Sequence, residues 1–168
     1  GVISWNSYPA DDMAFELRGQ FTNQAPVVST NTGVAVQGGA TVTVSNTHLQ
    51  VTDPDNTPAE LTFTLGTVPQ HGVLIRGTTT LTVGGTFTQQ DINNNLITYV
   101  HNDSNATSDS FSFTVSDGAG GSIPSTTFNF TITPRMTTTT TVSAVSGTYG
   151  SQVTLTANVT PGVEGTVA

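Results

Sequence analysis

Asp109-Ser110-Phe111-Ser112-Phe113-Thr114-Val115-Ser116-Asp117-Gly118 carries the pattern that sets the fold. Apolar and polar residues alternate, so Phe111, Phe113 and Val115 share one face of an extended strand. Asp117-Gly118 then closes the strand with a turn signal. Ten residues on, Phe128-Asn129-Phe130-Thr131-Ile132 repeats the device, with Phe128, Phe130 and Ile132 inward. Upstream, Thr41–Val44, Leu61–Leu65, Val73–Ile75, Leu81–Val83 and Leu96–Val100 read as further short strands between Gly, Pro, Asn and Asp turns. Their aligned apolar faces suffice for one core between two sheets, which predicts an all-β sandwich over residues 23–134. The one helical signal is Thr88-Gln89-Gln90-Asp91-Ile92, where Thr88 caps a single turn and Asp91 closes a capping box.

Composition supports this and removes several function classes. Charged residues make up 8% of the 168 residues, against about 25% in ordinary globular domains. Thr fills roughly one position in five, and Thr and Val favour half-buried strands. Three Lys+Arg stand against 11 Asp+Glu, a net charge of -8. The three basic residues are Arg18, Arg76 and Arg135, too few to neutralise a run of phosphates, so nucleic acid is excluded as a partner. Membrane insertion is excluded too, because no apolar run approaches the ~20 residues of a span. With Cys 0 and no Lys, disulfides, thiolate metal sites, Schiff bases and Lys–Asn crosslinks are ruled out.

The ends read as pieces of neighbouring β modules. Residues 1–22 hold one strand, 12–21, the terminal strand of a preceding module. Residues 135–168 hold two strands, around 141–145 and 153–159, the start of an incomplete second β module. Such strands expose edges. They pair with neighbouring β domains of the same chain, or add to another copy and build a filament. No charged head with an apolar stretch precedes them, so no leader is expected in this sequence.

The central segment resembles the cadherin-like repeat of the chondroitin sulfate proteoglycan type, common in large bacterial surface proteins. The matching residues are ordered along the chain: Asn23–Pro26, Leu49–Asp55, Leu61–Leu65, Val68–Leu74, Gly85–Ile92, Leu96–His101, Asp109–Gly118 and Phe128–Ile132. The final segment resembles the first strands of a bacterial immunoglobulin-like repeat, and residues 5–21 the last strand of a secreted jelly-roll-like module. The resemblance implies a Greek-key β-sandwich that serves as a non-catalytic structural and adhesive repeat of a large secreted or cell-surface protein. Cell-surface glycans or proteins are its implied partners.

Asp53-Pro54-Asp55-Asn56 is the leading site candidate. Two carboxylates two residues apart with an Asn beside them suit Ca²⁺, which takes about six to eight oxygens. Similar Asp-x-Asp pairs in cadherins hold calcium between domains with an Asn-bearing linker, the position of Asn23 here. The chain departs from that pattern, because Val27-Val28-Ser29-Thr30 carries no Glu and no Asp-Arg-Glu cluster follows. The same residues also read as a turn, with Pro54 fixing φ and the Asx side chains bonding the backbone. Asp103, Asp109 and Asp117 form a second acidic group, read as solvated turn formers. Asp109 and Asp117 lie at opposite ends of a strand, ~20 Å apart or more.

No catalytic constellation emerges. Asp11-Asp12 point to opposite faces of a strand and cannot act as a facing pair of acids. His48, His71 and His101 are not paired on any one element as zinc ligands would be. Four sequons, at Asn102, Asn105, Asn129 and Asn158, are of the kind that Asn- and Thr-rich chains produce by chance. The alternative function, a carbohydrate-binding accessory module of a secreted enzyme, needs exposed rings. Trp5 and Tyr8 are candidates, whereas Phe63, Phe87, Tyr99, Phe111, Phe113, Phe128 and Phe130 sit at alternating strand positions and are expected in the core.

Overall fold

A computed structural model describes residues 22–135, 138–142, 149–150, 152 and 157–161. The strand expected at 12–21, the rings of Trp5 and Tyr8, and parts of the expected strands at 141–145 and 153–159 lie outside these residues. In chain order the elements are β1 (Val27–Asn31), β2 (Val34–Gln37), β3 (Thr41–Thr43), β4 (Leu49–Thr52), β5 (Thr62–Thr67), β6 (Gly72–Arg76) and β7 (Thr79–Thr80). They continue with β8 (Thr86–Thr88), α1 (Gln89–Asn93), β9 (Ile97–His101), β10 (Ser108–Ser116), β11 (Ser122–Thr133), β12 (Thr138–Val142) and β13 (Ala157–Pro161).

The alternating stretch from Asp109 becomes β10, the centre of a five-stranded sheet ordered β2-β11-β10-β5-β8. Its register places Phe111 opposite Phe128, and Val115 opposite both Ile123 and Phe63. One extra residue of β11 is accommodated between the Phe113–Thr126 and Val115–Ile123 pairs. Pro124 lies in that bulge, where its missing N–H breaks no regular ladder bond. The second sheet is ordered β3-β9-β6-β7, while β1 and β4 form a separate antiparallel pair, as do β12 and β13.

The inward faces meet in one core. Phe63 stacks on Phe87 at 4.9 Å between ring centroids and touches Phe113 at 5.2 Å. Tyr99 of one sheet stacks on Phe130 of the other at 3.9 Å. All seven aromatics expected in the core are at most 1% exposed. The all-β sandwich is therefore as the alternation predicts. Thr88 caps α1 with the expected box: its hydroxyl accepts from Asp91 N–H, and the Asp91 carboxylate accepts from Thr88 N–H.

One expected strand is absent. Leu81–Val83 is a loop, because Gly84 and Gly85 turn the chain back, with Gly84 N–H donating to Leu65 C=O and Gly85 N–H to Thr82 C=O. Leu81 alone enters the core. Strand pairing falls instead on Thr79–Thr80 and Thr86–Thr88.

Candidate functional site at the linker end

Asp53 follows the end of β4 and folds back on its own loop. Its Oδ1 accepts from the N–H groups of Asp55 (3.0 Å) and Asn56 (3.1 Å). This is the Asx turn that Pro54 and the short acceptor favour. Asp53 Oδ2 is buried and has no hydrogen-bond partner. Beside it lies a cleft of about 110 Å³, lined by Gln50, Thr52, Asn56, Gln89 and Asn93 among others.

The loop also grips the linker. Gln24 N–H donates to Asp55 Oδ2 at 3.0 Å. Asn56 Nδ2 donates to the Asp117 carbonyl at 3.3 Å, and Asn23 Nδ2 to Asp117 Oδ2 at 2.8 Å. Asp117 Oδ1 in turn accepts from Ala119 N–H (2.7 Å) and Gly121 N–H (2.9 Å). Asn23 and Asn56 thus meet at Asp117, a residue 4% exposed, while Asp55 holds the next linker residue, Gln24. The Asn23 amide holds the Asp117 carboxyl below its ordinary range; burial opposes this, and the loop N–H groups add to it. Gly121 is required here, because a Cβ would strike the Asp117 carboxylate and come within 2.9 Å of Ala25 Cα.

The reading of Asp117 as a solvated turn former is therefore corrected. It makes a turn, but it is buried and is the hub that receives the linker. Asn23 and Asp117 are 94 residues apart, and only the strand order brings them together. No pattern in the sequence around Asp117 signals that meeting.

Asp109 also departs from the solvated reading. It is 8% exposed and accepts from Gln70 N–H (2.9 Å), His71 N–H (2.8 Å) and Tyr99 O–H (2.8 Å). Burial pushes its carboxyl up, but these donors and Ser110 N–H outweigh burial and leave it below the ordinary range. Burial and Asp109 together push the Tyr99 phenol well up. Asp103 is exposed and pairs with Arg135 at 3.5 Å.

His48 stands apart, whereas His71 and His101 flank one serine. His48 closes the Ser45–His48 turn. His71 Nδ1 and His101 Nε2 each lie 3.4 Å from Ser104 Oγ. His101 Nδ1 accepts from Gly39 and Asp103 N–H groups. Among the described residues, no three His, Cys, Asp or Glu side chains are grouped to hold a metal ion. Among them too, no helix is long and apolar enough to cross a membrane.

Comparison with known proteins agrees with this architecture. The chain is 40% identical over 119 residues to human FRAS1-related extracellular matrix protein 1, covering 70% of this chain and 5% of that protein. It is 42% identical over 96 residues to extracellular matrix protein 3 of Lytechinus variegatus, covering 57% of this chain and 3% of that one. Mouse chondroitin sulfate proteoglycan 4 matches at 33% over 97 residues, 58% of this chain and 4% of the relative. The chain thus spans only a few per cent of the length of these relatives. A family model described as cadherin-like matches residues 26–142. With its sandwich of two sheets and a buried aromatic core, the chain belongs to the cadherin-like family.

Proposed function

We propose that this chain is a non-catalytic, extracellular structural and adhesive repeat that sets the direction of the segment before it. The supporting observation is the linker grip: Asn23 and Gln24 are hydrogen-bonded to Asp117 and Asp55 at the domain end. Relatives named as extracellular matrix proteins support the extracellular setting and partners among matrix or cell-surface proteins. The carbohydrate-module alternative is disfavoured, because the central rings are spent in the core and Tyr149 is the one exposed ring among the described residues. Passage over immobilised polysaccharides checks this: no retention is expected, and retention would favour the alternative.

Calcium belongs to the same proposal. Asp53, Asp55, Asn56 and Asn23 would hold it, and the ion would stiffen the linker by tying acidic oxygens together. The residues fit in kind, since they offer oxygens and Asp53 Oδ2 is a buried carboxylate oxygen without a donor. A melt of the full chain in excess EDTA, then millimolar Ca²⁺, with Mg²⁺ as control, tests it. An ion at ~100 times its dissociation constant adds about 2.7 kcal/mol. A calcium-specific rise lost in the Asp53→Ala/Asp55→Ala double variant is expected. No shift would leave the linker held by its hydrogen bonds alone. The bacterial setting, the immunoglobulin-like repeat after residue 134 and filament formation by strand addition rest on the sequence resemblance and the strand pattern.

A further inference from the structure

We propose that the repeat bears tension, with the β2–β11 pair as its mechanical clamp. This rests on the structural-repeat reading for its purpose, but on the topology for its mechanism. β2 and β11 are the one parallel strand pair among the described strands, in register from Val34–Phe130 to Gln37–Thr133. Every other described pair is antiparallel.

The two ends of the load path lie at opposite ends of β11. Ser122 starts β11 next to Gly121, against which the linker residue Ala25 packs. Thr133 ends β11 at the chain's exit, where its carbonyl accepts from Gly38 N–H at 2.9 Å. The strand between is roughly 40 Å long at ~3.3 Å per residue. Tension on the linker therefore draws β2 toward the Ser122 end, while tension on the exit draws β11 toward its Thr133 end. In a parallel pair these pulls run along the strands in opposite directions. All cross-strand bonds are then loaded together and must yield together, whereas force applied across one end of a ladder breaks them one at a time.

Further contacts carry the same strand alignment. Asn31 Nδ2 donates to Thr127 C=O at 3.0 Å. Gly33 lies so close to β11 that a Cβ would come within 2.6 Å of Asn129 C=O. The load enters through β1, which is also held by its pairing with β4, and leaves through β11, so the second sheet lies off its path.

The sequence has no native cysteine, which allows pulling points to be placed at will. The test is single-molecule force spectroscopy on the full chain with handles on two double variants, kept reduced. Thr22→Cys with Thr140→Cys loads the pair along its length. Gln37→Cys with Thr133→Cys, a cross-strand pair at one ladder end, peels it open. All four positions are exposed, and equal thermal melts would show that both variants are folded. Lengthwise loading is expected to give one cooperative rupture at a force several-fold above peeling, with a contour gain of about 350 Å at ~3.5 Å per residue. Equal rupture forces, or gradual lengthening at low force, would overturn the clamp. Either result would leave the extracellular structural reading to be judged by polysaccharide retention and the calcium melt.

Discussion

Tyr99 illustrates how a single side chain joins distant parts. Its ring stacks on Phe130 and its hydroxyl donates to buried Asp109. Tyr99→Phe keeps the stack and strips one donor from a buried carboxylate, so a loss of about 1–3 kcal/mol is expected in urea melts. The pH response follows from the carboxyls. Asp109 and Asp117 lie below their ordinary range when folded. A lowered folded pKa means the unfolded chain binds the proton more readily. The stabilisation is thus whole above the unfolded value near 3.9 and is lost as pH falls through the folded value. Acid melts should show stability falling below about pH 4, with a shallower fall in Asp109→Asn. A pH-independent stability between 5 and 2 would contradict this.

At the scale of elements, capping and turn chemistry decide boundaries. The α1 helix has five residues, too few to persist without tertiary support. Its box is reinforced by Arg76, whose Nε lies 3.0 Å from Asp91 Oδ2. Thr88→Ala should cost about 1 kcal/mol by removing the cap, measured as a lower urea midpoint at unchanged slope. The Leu81–Val83 loop shows the opposite case. Three residues with strand-like character form no strand there, because the glycines after them hand the edge of β5 to Thr86–Thr88 instead.

At the scale of the whole molecule, one cluster of buried side chains among the described residues holds both sheets and the β1–β4 pair. Leu49 and Val51 of β4 share it with Phe113, Tyr99 and Phe130. Phe130→Ala removes the stack that spans the sheets. A loss of about 3–5 kcal/mol is expected, a large share of the ~5–15 kcal/mol that typical domains possess. Chemical denaturation of the variant measures it, and a loss below 1 kcal/mol would mean the sheets do not depend on this contact.

What the sequence by itself determined was whatever is periodic or local. Alternation at Phe111-x-Phe113-x-Val115 fixed which faces are buried, since neighbouring strand residues must point to opposite sides. Thr88 and Asp91 fixed the one helical turn, since capping spans three residues. The Asx turn at Asp53 was equally legible, its donors lying two and three residues away. Only the tertiary structure decided which remote groups meet. Asp117 and Asp109 read as turn residues because nothing near them in the chain shows what binds them. Asn23 lies 94 positions from Asp117, and Gln70 and His71 lie 39 and 38 from Asp109. Strand order sets those meetings. It depends on how all the apolar faces are buried at once, and no local pattern encodes it.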